Sequence, residues 1–528
     1  MPIALPDSDA VLSTSQNVRS RLNCLDKLAL IRFVPVIAAA VMFVHAFALR
    51  YTPDDAYISF RYMLNLARGL GPVFNAGQQV EGYTSPLWIF LLGGLHAIGL
   101  PIESTALILS LAGGVLAVWL LPRLSHALGY ELHGLDAFLL ACNTSFAVWA
   151  GASMEMVVFA FVLVAAMLVL FAGKRRWLAG LIFATLVLVR PEGLLIGGLA
   201  VLYMAWPVLR REPRAWRAAL TFTFAFAVPV LTHLIWRLAY YGYPLPNTFY
   251  VKVGFTLAQV IRGIGYVGEA GWQYLIPLVL PLLLGLLTRP LDRKRVYAEV
   301  VLVSYVAYVA LVGGDWMVSN RLFVPIMPLI TLFAAVGSVR LFKWVRPRLG
   351  TRRSLATALA CAGVAAVLAL DLAPSFTVNT HQDYTDSGKP IAEWLNAHCP
   401  TNLRVAVYAA GTLPYYAPNF PIVDMFGLAD TTIAHLDIPT MGQGTWAGHE
   451  KFSVDAVMRQ NPNIFVLDAN ATDKAIATMD DWRMVEPRQL TEQFLDRANF
   501  WSDHSIQTAP LPNGKHFNLI VLDPYPCS

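Results

Sequence analysis

The sequence predicts an α-helical polytopic membrane protein with about eleven transmembrane helices, followed by a C-terminal α/β domain outside the membrane. Three observations predict it. Hydrophobic residues make up 56% of the 528 and charged residues only 14%, with mean hydropathy +0.53, a balance too apolar for a soluble domain. Apolar runs then succeed one another as far as residue 373, and between them lie clusters of Lys and Arg. After 373 the composition changes abruptly, with Asp, Asn, Pro and His common and no further apolar run of spanning length.

Residues 1–27 are polar and carry Arg19, Arg21 and Lys27. No small-residue cleavage site follows the apolar run behind them, so they read as a cytoplasmic tail before an uncleaved first helix. The membrane part, 28–373, holds apolar runs at 33–50, 86–100, 104–122, 136–151, 154–173, 177–190, 193–209, 218–240, 272–288, 296–312, 322–345 and 354–373. The basic clusters Lys174–Arg176, Arg210–Arg217, Arg289–Arg295 and Lys343–Arg353 belong on the inside. That choice puts the stretches around 51–103, 151–155, 190–193, 241–270 and 313–321 outside. The parity holds if 86–100 lies along the outer face instead of crossing, which leaves the N-terminus inside and the C-terminal domain outside.

The C-terminal domain, 374–528, alternates: a helix at 389–398, a strand at 403–409, a helix at 453–460, and strands at 463–468 and 517–522. Of the five cysteines, Cys24, Cys142 and Cys361 fall in or near membrane segments and read as small buried hydrophobes. Cys399 and Cys527 lie in the outer domain, where a disulfide and two separate thiols are both open readings. Eleven histidines are scattered without an HExxH or Cys/His cluster, so no metal site and no cofactor are expected.

Polar residues of the membrane half gather on the outer side. Asp54 and Asp55 follow the first helix; Arg61, Glu81, Tyr83 and Ser85 share their loop. Further along stand Glu155, Arg190 with Glu192, Asn247 with Lys252, and Asp315, Trp316 and Arg321. Burying one charge at the bilayer centre costs about 3 kcal/mol. A few such residues could be snorkelling anchors, as Arg237 and Arg262 are read here. So many at external helix ends suggest one aqueous cavity for an anionic ligand, lined by Asp54, Asp55, Glu81, Glu155, Arg190, Asn247, Lys252, Asp315 and Arg321.

A phosphate ester of a sugar suits that chemistry. Arg190, Lys252 and Arg321 would hold the leaving phosphate. The two acids would take a hydroxyl proton or steady positive charge on the sugar. Being adjacent, they are expected to point in different directions and do different jobs, although the pair could also simply cap the helix DAYISFRYMLNLAR. His449 and Lys451 sit in a Gly-flanked turn of the outer domain, either as a solvated loop or reaching over the cavity mouth.

The first loop, YTPDDAYISFRYMLNLARGLGPVFNAGQQVEGYTSPLW, resembles that of the GT-C glycosyltransferases, and within them the bacterial terminal arabinofuranosyltransferase group. GASMEMVVF (with Met156 in place of Thr), LVRPEG, YPLPNTFYVK, GGDWM, RLFVPIMPL and GTWAGHEK match further blocks in order, from 51 to about 470. The resemblance implies a GT-C fold in the bacterial inner membrane, with a periplasmic catalytic loop over 51–103 and a periplasmic C-terminal domain. It also implies a catalytic first-loop Asp and transfer of arabinofuranose from a polyprenyl-phosphate donor. The acceptor would be an envelope glycan, glycolipid or protein; no nucleic acid is implied. Two other functions remain open. A flippase for a lipid-linked saccharide would carry polar residues through mid-membrane and often shows repeated halves, neither of which is seen. A non-catalytic assembly component would tolerate loss of the Asp pair.

Overall fold

The computed structural model describes residues 33–528 except 274–275, 289–291, 350–361, 364, 371, 377–382, 445–446, 468–470, 479, 483–492, 495, 498–499, 525 and 528. The tail at 1–27 and much of the run at 354–373 lie outside the described residues.

Helices α1 (Phe33–Ala48), α2 (Asp54–Ala67), α3 (Pro86–Ala97), α4 (Ile102–Ala127), α5 (Leu135–Cys142), α6 (Thr144–Ala150), α7 (Met156–Ala172), α8 (Arg176–Val189), α9 (Gly193–Leu209) and α10 (Ala215–Tyr241) come first. The short α11 (Asn247–Lys252), α12 (Leu257–Gln273), α13 (Ile276–Leu286) and α14 (Arg293–Leu311) follow, and a 3-10 segment, Val318–Ile326, leads into α15 (Met327–Val345). Among the described residues, Ile102–Ala127, Ala215–Tyr241 and Val318–Val345 are long and apolar enough to cross a membrane, while α1, α3, α7, α8 and α9 are apolar but shorter. At 12 residues, α3 is shorter than a span needs, and it packs against α2.

Two runs depart from expectation. The run at 136–151 breaks into α5 and α6 at Asn143, whose extended backbone ends one helix while its side chain accepts from the Phe146 amide (3.0 Å) to cap the next. The run at 272–288 does not begin a helix alone. Helix α12 precedes α13 and meets it at 104°. It escaped the hydropathy reading because its polar residues interrupt the apolar run: it buries Gln259, Tyr266 and Ala270 and exposes Leu257, Ile261, Ile264 and Trp272.

Helix α15 is the central strut, with Met327–Gly337 buried throughout. It lies so close to α13 that a Cβ on Gly337 would sit 1.8 Å from the Pro281 carbonyl oxygen. Small residues let helix backbones approach in this way where lipid supplies no hydrophobic drive.

The C-terminal domain, called outer for its seat over one end of the helices, is built on a mixed sheet ordered β2-β1-β3-β6-β4, with β5 also on β6. Its strands are β1 (Val405–Val407), β2 (Ile422–Asp424), β3 (Ile464–Val466), β4 (Ala471–Thr472), β5 (His504–Pro510) and β6 (His516–Leu522). β1 runs parallel to β2 and β3; β6 runs antiparallel to β3, β4 and β5. The expected helices appear as α16 (Asp383–His398) and Val454–Met458. Strands β2, β4 and β5 and the helical turn α17 (Thr412–Tyr416) were not foreseen. Cys399 and Cys527 form a disulfide.

Among the polar side chains of the membrane half that fasten this domain are Arg61, Asn75, Asn247 and Asp54. Arg61, 1% exposed, donates to the carbonyls of Phe74, Pro414 and Phe420 and to Asn75. Asn75 in turn bonds the backbone of Ile422. Asn247 donates to the Gly427 and Leu428 carbonyls (2.7 and 3.0 Å), and Asp54 grips residues 411–412.

Candidate active site

A cavity of about 510 Å³ lies where the ends of α2, α8, α11 and α14 meet the loop before α3 and the underside of the outer domain. Asp55, Tyr83, Ser85, Glu155, Arg190, Glu192, Lys252, Asp315 and Arg321 all line it. Residues separated by up to 266 positions therefore converge as the charge pattern predicts.

The two adjacent acids part company. Helix α2 starts at Asp54, so successive side chains diverge by about 100°. Asp55 turns into the cavity, where its Oδ2 accepts from Arg321 Nη1 (3.0 Å). Burial would raise its pKa, but Arg321 and Lys252 outweigh that and hold the carboxyl below its ordinary value. Asp54 turns into the outer domain. It accepts from the Gly411 amide (2.9 Å), the Thr412 amide (2.7 Å) and the Thr412 hydroxyl (2.8 Å). Burial raises its pKa despite these bonds. The catalytic role expected of Asp54 is therefore corrected: its carboxylate fastens a domain and does not face the cavity.

Two arginines each bridge two acids. Arg321 holds Asp55 and, through Nε, Asp315 Oδ2 (2.6 Å). Arg190 holds Glu155 and Glu192, both at 2.7 Å. Each trio carries net charge −1, so the charge of each guanidinium is already offset by its own acids. Arg190, Lys252 and Arg321, expected to hold a phosphate, all line the cavity, two of them engaged with acids. Lys252 differs: its ammonium makes no ion pair or hydrogen bond among the described residues. Its stem packs under Gly448, whose Cβ, if present, would lie 3.0 Å from it.

Residues in left-handed backbone conformation aim these groups. Ser153 (φ 57°) stands two residues before Glu155, and Ser319 and Asn320 (φ 56° and 46°) immediately precede Arg321. Such conformations cost side-chain-bearing residues about 1 kcal/mol or more each and persist where the surroundings fix them. Trp149 is fully buried beneath Arg321, with its Nε1 donating to the Val318 carbonyl (3.1 Å).

Other expected ligand residues lie elsewhere. Glu81 pairs with Arg237 (2.7 Å), and its carbonyl accepts from the Asn247 amide (2.9 Å). Arg61 and Asn247 dock the outer domain. Burial without a carboxylate partner lowers the Arg61 pKa to about 9. Lys451 donates to the Ala434 carbonyl (3.0 Å), away from the cavity. Trp316 packs edge-on against His449, 5.3 Å between centroids. His449 is half-buried; burial and then Lys252 lower its pKa to about 4 while Asp55 opposes them, so it stays neutral at pH 7. Its turn does reach the cavity, through Ala447 and Gly448.

The sequence reading missed Arg262 and Tyr308 in the lining. Arg262 does not snorkel: it pairs with Glu450 and donates to the Gly313 carbonyl (2.9 Å). Arg237, read as the same kind of anchor, is the partner of Glu81. A lone arginine followed in the outer domain by an unassigned acid was the only available signal.

An apolar helical body, a charged cavity at one end and an α/β domain seated over it define a class. The chain has the GT-C fold. It superposes on ArnT from Cupriavidus metallidurans bound to undecaprenyl phosphate, with TM-score 0.53 at 13% identity over 94% of this chain and 98% of that one. It also superposes on the archaeal oligosaccharyltransferase AglB from Archaeoglobus fulgidus, in complex with an inhibitory peptide and a dolichol-phosphate, with TM-score 0.51 at 13% identity over 84% and 70%.

In sequence, the chain is 30% identical over 362 residues to a terminal beta-(1->2)-arabinofuranosyltransferase of Mycobacterium tuberculosis, covering 58% of this chain and 55% of the relative. It is 29% identical over 336 residues to a protein of the same name from Corynebacterium glutamicum, covering 53% and 47%. The chain thus spans about half the length of the curated relatives it matches. Residues 376–509 match a family described as a domain of unknown function, DUF8728.

Proposed function

We propose that this protein is a glycosyltransferase that moves a sugar, arabinofuranose, from a polyprenyl-phosphate donor to a hydroxyl of an envelope glycan, glycolipid or protein. The reaction takes place at the periplasmic face of the bacterial inner membrane and draws on no cofactor. The sequence relatives support the sugar and the fold supports the lipid-phosphate donor. The Cys399–Cys527 disulfide supports an oxidising compartment for the outer domain.

The observation that carries the reading is the cavity's division of labour. Asp55 is its most accessible acid, with a side chain 20% exposed against 4% for Glu155, 2% for Glu192 and 7% for Asp315. Lys252 is its uncommitted cation. Asp55 accepts the proton of the acceptor hydroxyl as that oxygen bonds to the anomeric carbon. The bond from that carbon to the phosphate oxygen breaks, and its electron pair leaves with the phosphate beside Lys252. Phosphate binding also offsets the Lys252 charge that helps hold the Asp55 pKa down, which makes Asp55 a better base when the donor is present. A flippase would need charges along the transport path; here they collect at one end of the helices.

The test is turnover by purified protein of polyprenyl-phosphoryl-arabinofuranose with a glycan acceptor, read as release of polyprenyl phosphate. Asp55→Asn should lower turnover by about 10²-fold or more. Retained turnover in that variant would overturn the assignment.

A further inference from the structure

The charged groups of the cavity are nearly all committed to one another, yet its lining also carries hydroxyls that are not. Ser59, Thr84, Ser85 and Thr248 are among the residues that line it. None of the four side chains makes a hydrogen bond among the described residues. Helical Ser and Thr commonly return a bond to a carbonyl one turn back, as Thr185, Thr221 and Thr331 do here; Ser59 does not. Thr248 is 8% exposed, and its Oγ1 is shut off from solvent without a partner. Ser85 is 2% exposed. A buried hydroxyl left unsatisfied costs about 1–3 kcal/mol, so its retention at a cavity wall calls for a ligand that satisfies it.

Their placement is set by the backbone. Ser59 is four residues from Asp55 on α2, hence on the same face and one turn away. The amide of Asn247 bonds the carbonyl of Glu81 (2.9 Å), which ties the start of α11, with Thr248, to the loop that carries Thr84 and Ser85. Gly82 keeps that loop close: a Cβ there would stand 2.6 Å from the Tyr62 hydroxyl and 2.9 Å from the Leu428 carbonyl.

We infer that Ser59, Thr84, Ser85 and Thr248 form a neutral hydroxyl subsite that grips the ring hydroxyls of the transferred sugar beside Asp55 and thereby sets donor specificity. This rests on the proposed function and names the part of the cavity that reads the sugar. Hydroxyls both donate and accept, so the subsite suits an uncharged polyol ring. A site built to bond a hydroxyl also rejects an analogue lacking it, because its own polar groups are then left unpaired.

The experiment measures kcat/KM for polyprenyl-phosphoryl-arabinofuranose and for analogues in which one ring hydroxyl at a time is replaced by hydrogen. Wild type, Thr248→Val and Ser85→Ala are compared. Thr248→Val keeps shape and removes only the hydroxyl. Wild type should prefer the full sugar over at least one deoxy analogue by tenfold or more, and one variant should shrink that preference by about tenfold while using the deoxy donor nearly as well as wild type does. Equal preference ratios in wild type and both variants would overturn the subsite while leaving the glycosyltransferase reading intact. Failure of wild type to use any of these donors would overturn that reading itself. Should either variant fold poorly, Thr248→Ser restores a hydroxyl and must restore the wild-type ratio; if it does not, the inference fails.

Discussion

At the scale of single residues, adjacent acids divide two tasks. Asp54→Asn keeps an acceptor oxygen for the Thr412 contacts but puts an amide against the Gly411 amide. It should lower stability by about 1–3 kcal/mol, seen as a lower melting temperature in detergent, with a smaller turnover loss than Asp55→Asn. The cations divide in the same way. Lys252→Met should weaken donor use, read as a raised donor KM, with little change in melting temperature, because no carboxylate is ion-paired with it among the described residues. Arg321→Gln should instead destabilise by about 3 kcal/mol or more, since Asp55 and Asp315 would then face each other unpaired. Loss of donor affinity with unchanged stability in Arg321→Gln would show that the phosphate, not the acids, is its partner. The sequence made these residues visible as a set, because ionisable groups in an apolar chain stand out. It could not distinguish Asp54, whose partners stand 357 and 358 residues away, from Asp55, or Lys252 from Arg190, because packing decides which groups meet.

At the scale of elements, hydropathy located the long helices and failed at two breaks. The break at Asn143 lies inside an apolar run, where composition has no contrast to offer. Asn143→Ala should cost about 1 kcal/mol through loss of the α6 cap, measured by thermal unfolding; an unchanged melting temperature would mean that the cap is idle. Helix α12 was missed for the opposite reason, since amphipathic sequence at an interface resembles a polar loop. In the outer domain, β1, β3 and β6 were legible from their apolar residues, and all three lie side by side in the sheet. Strand β5 was not, because its residues alternate only weakly and its pairing with β6 supplies the order.

For the whole molecule, the outer domain closes the cavity and reports its charge state. The pKa of His449 falls to about 4 on folding, from about 6.5 in the unfolded chain. Between these values the unfolded chain binds the extra proton, so stability falls as pH drops from about 6.5 toward 4, by at most about 3 kcal/mol. His449→Gln lacks this term. Asp424, raised by burial to about 6, works in the opposite sense in both proteins and cancels from the comparison. Wild type should therefore lose more melting temperature than the variant between pH 7 and pH 5; equal losses would mean that folding does not lower the His449 pKa as described.

The back-to-back placement of Asp54 and Asp55 has a consequence for inheritance. One peptide bond joins the residue that anchors the outer domain to the residue that faces the chemistry. The outer domain is consequently not a cassette that recombination can exchange alone. A graft carrying a different turn at 411–412 would disturb Asp54 and, through the shared backbone, the aim of its neighbour. Chimeras that move the first loop together with residues 411–430 should survive where domain-only swaps fail, and lineages should drift at these two segments in step.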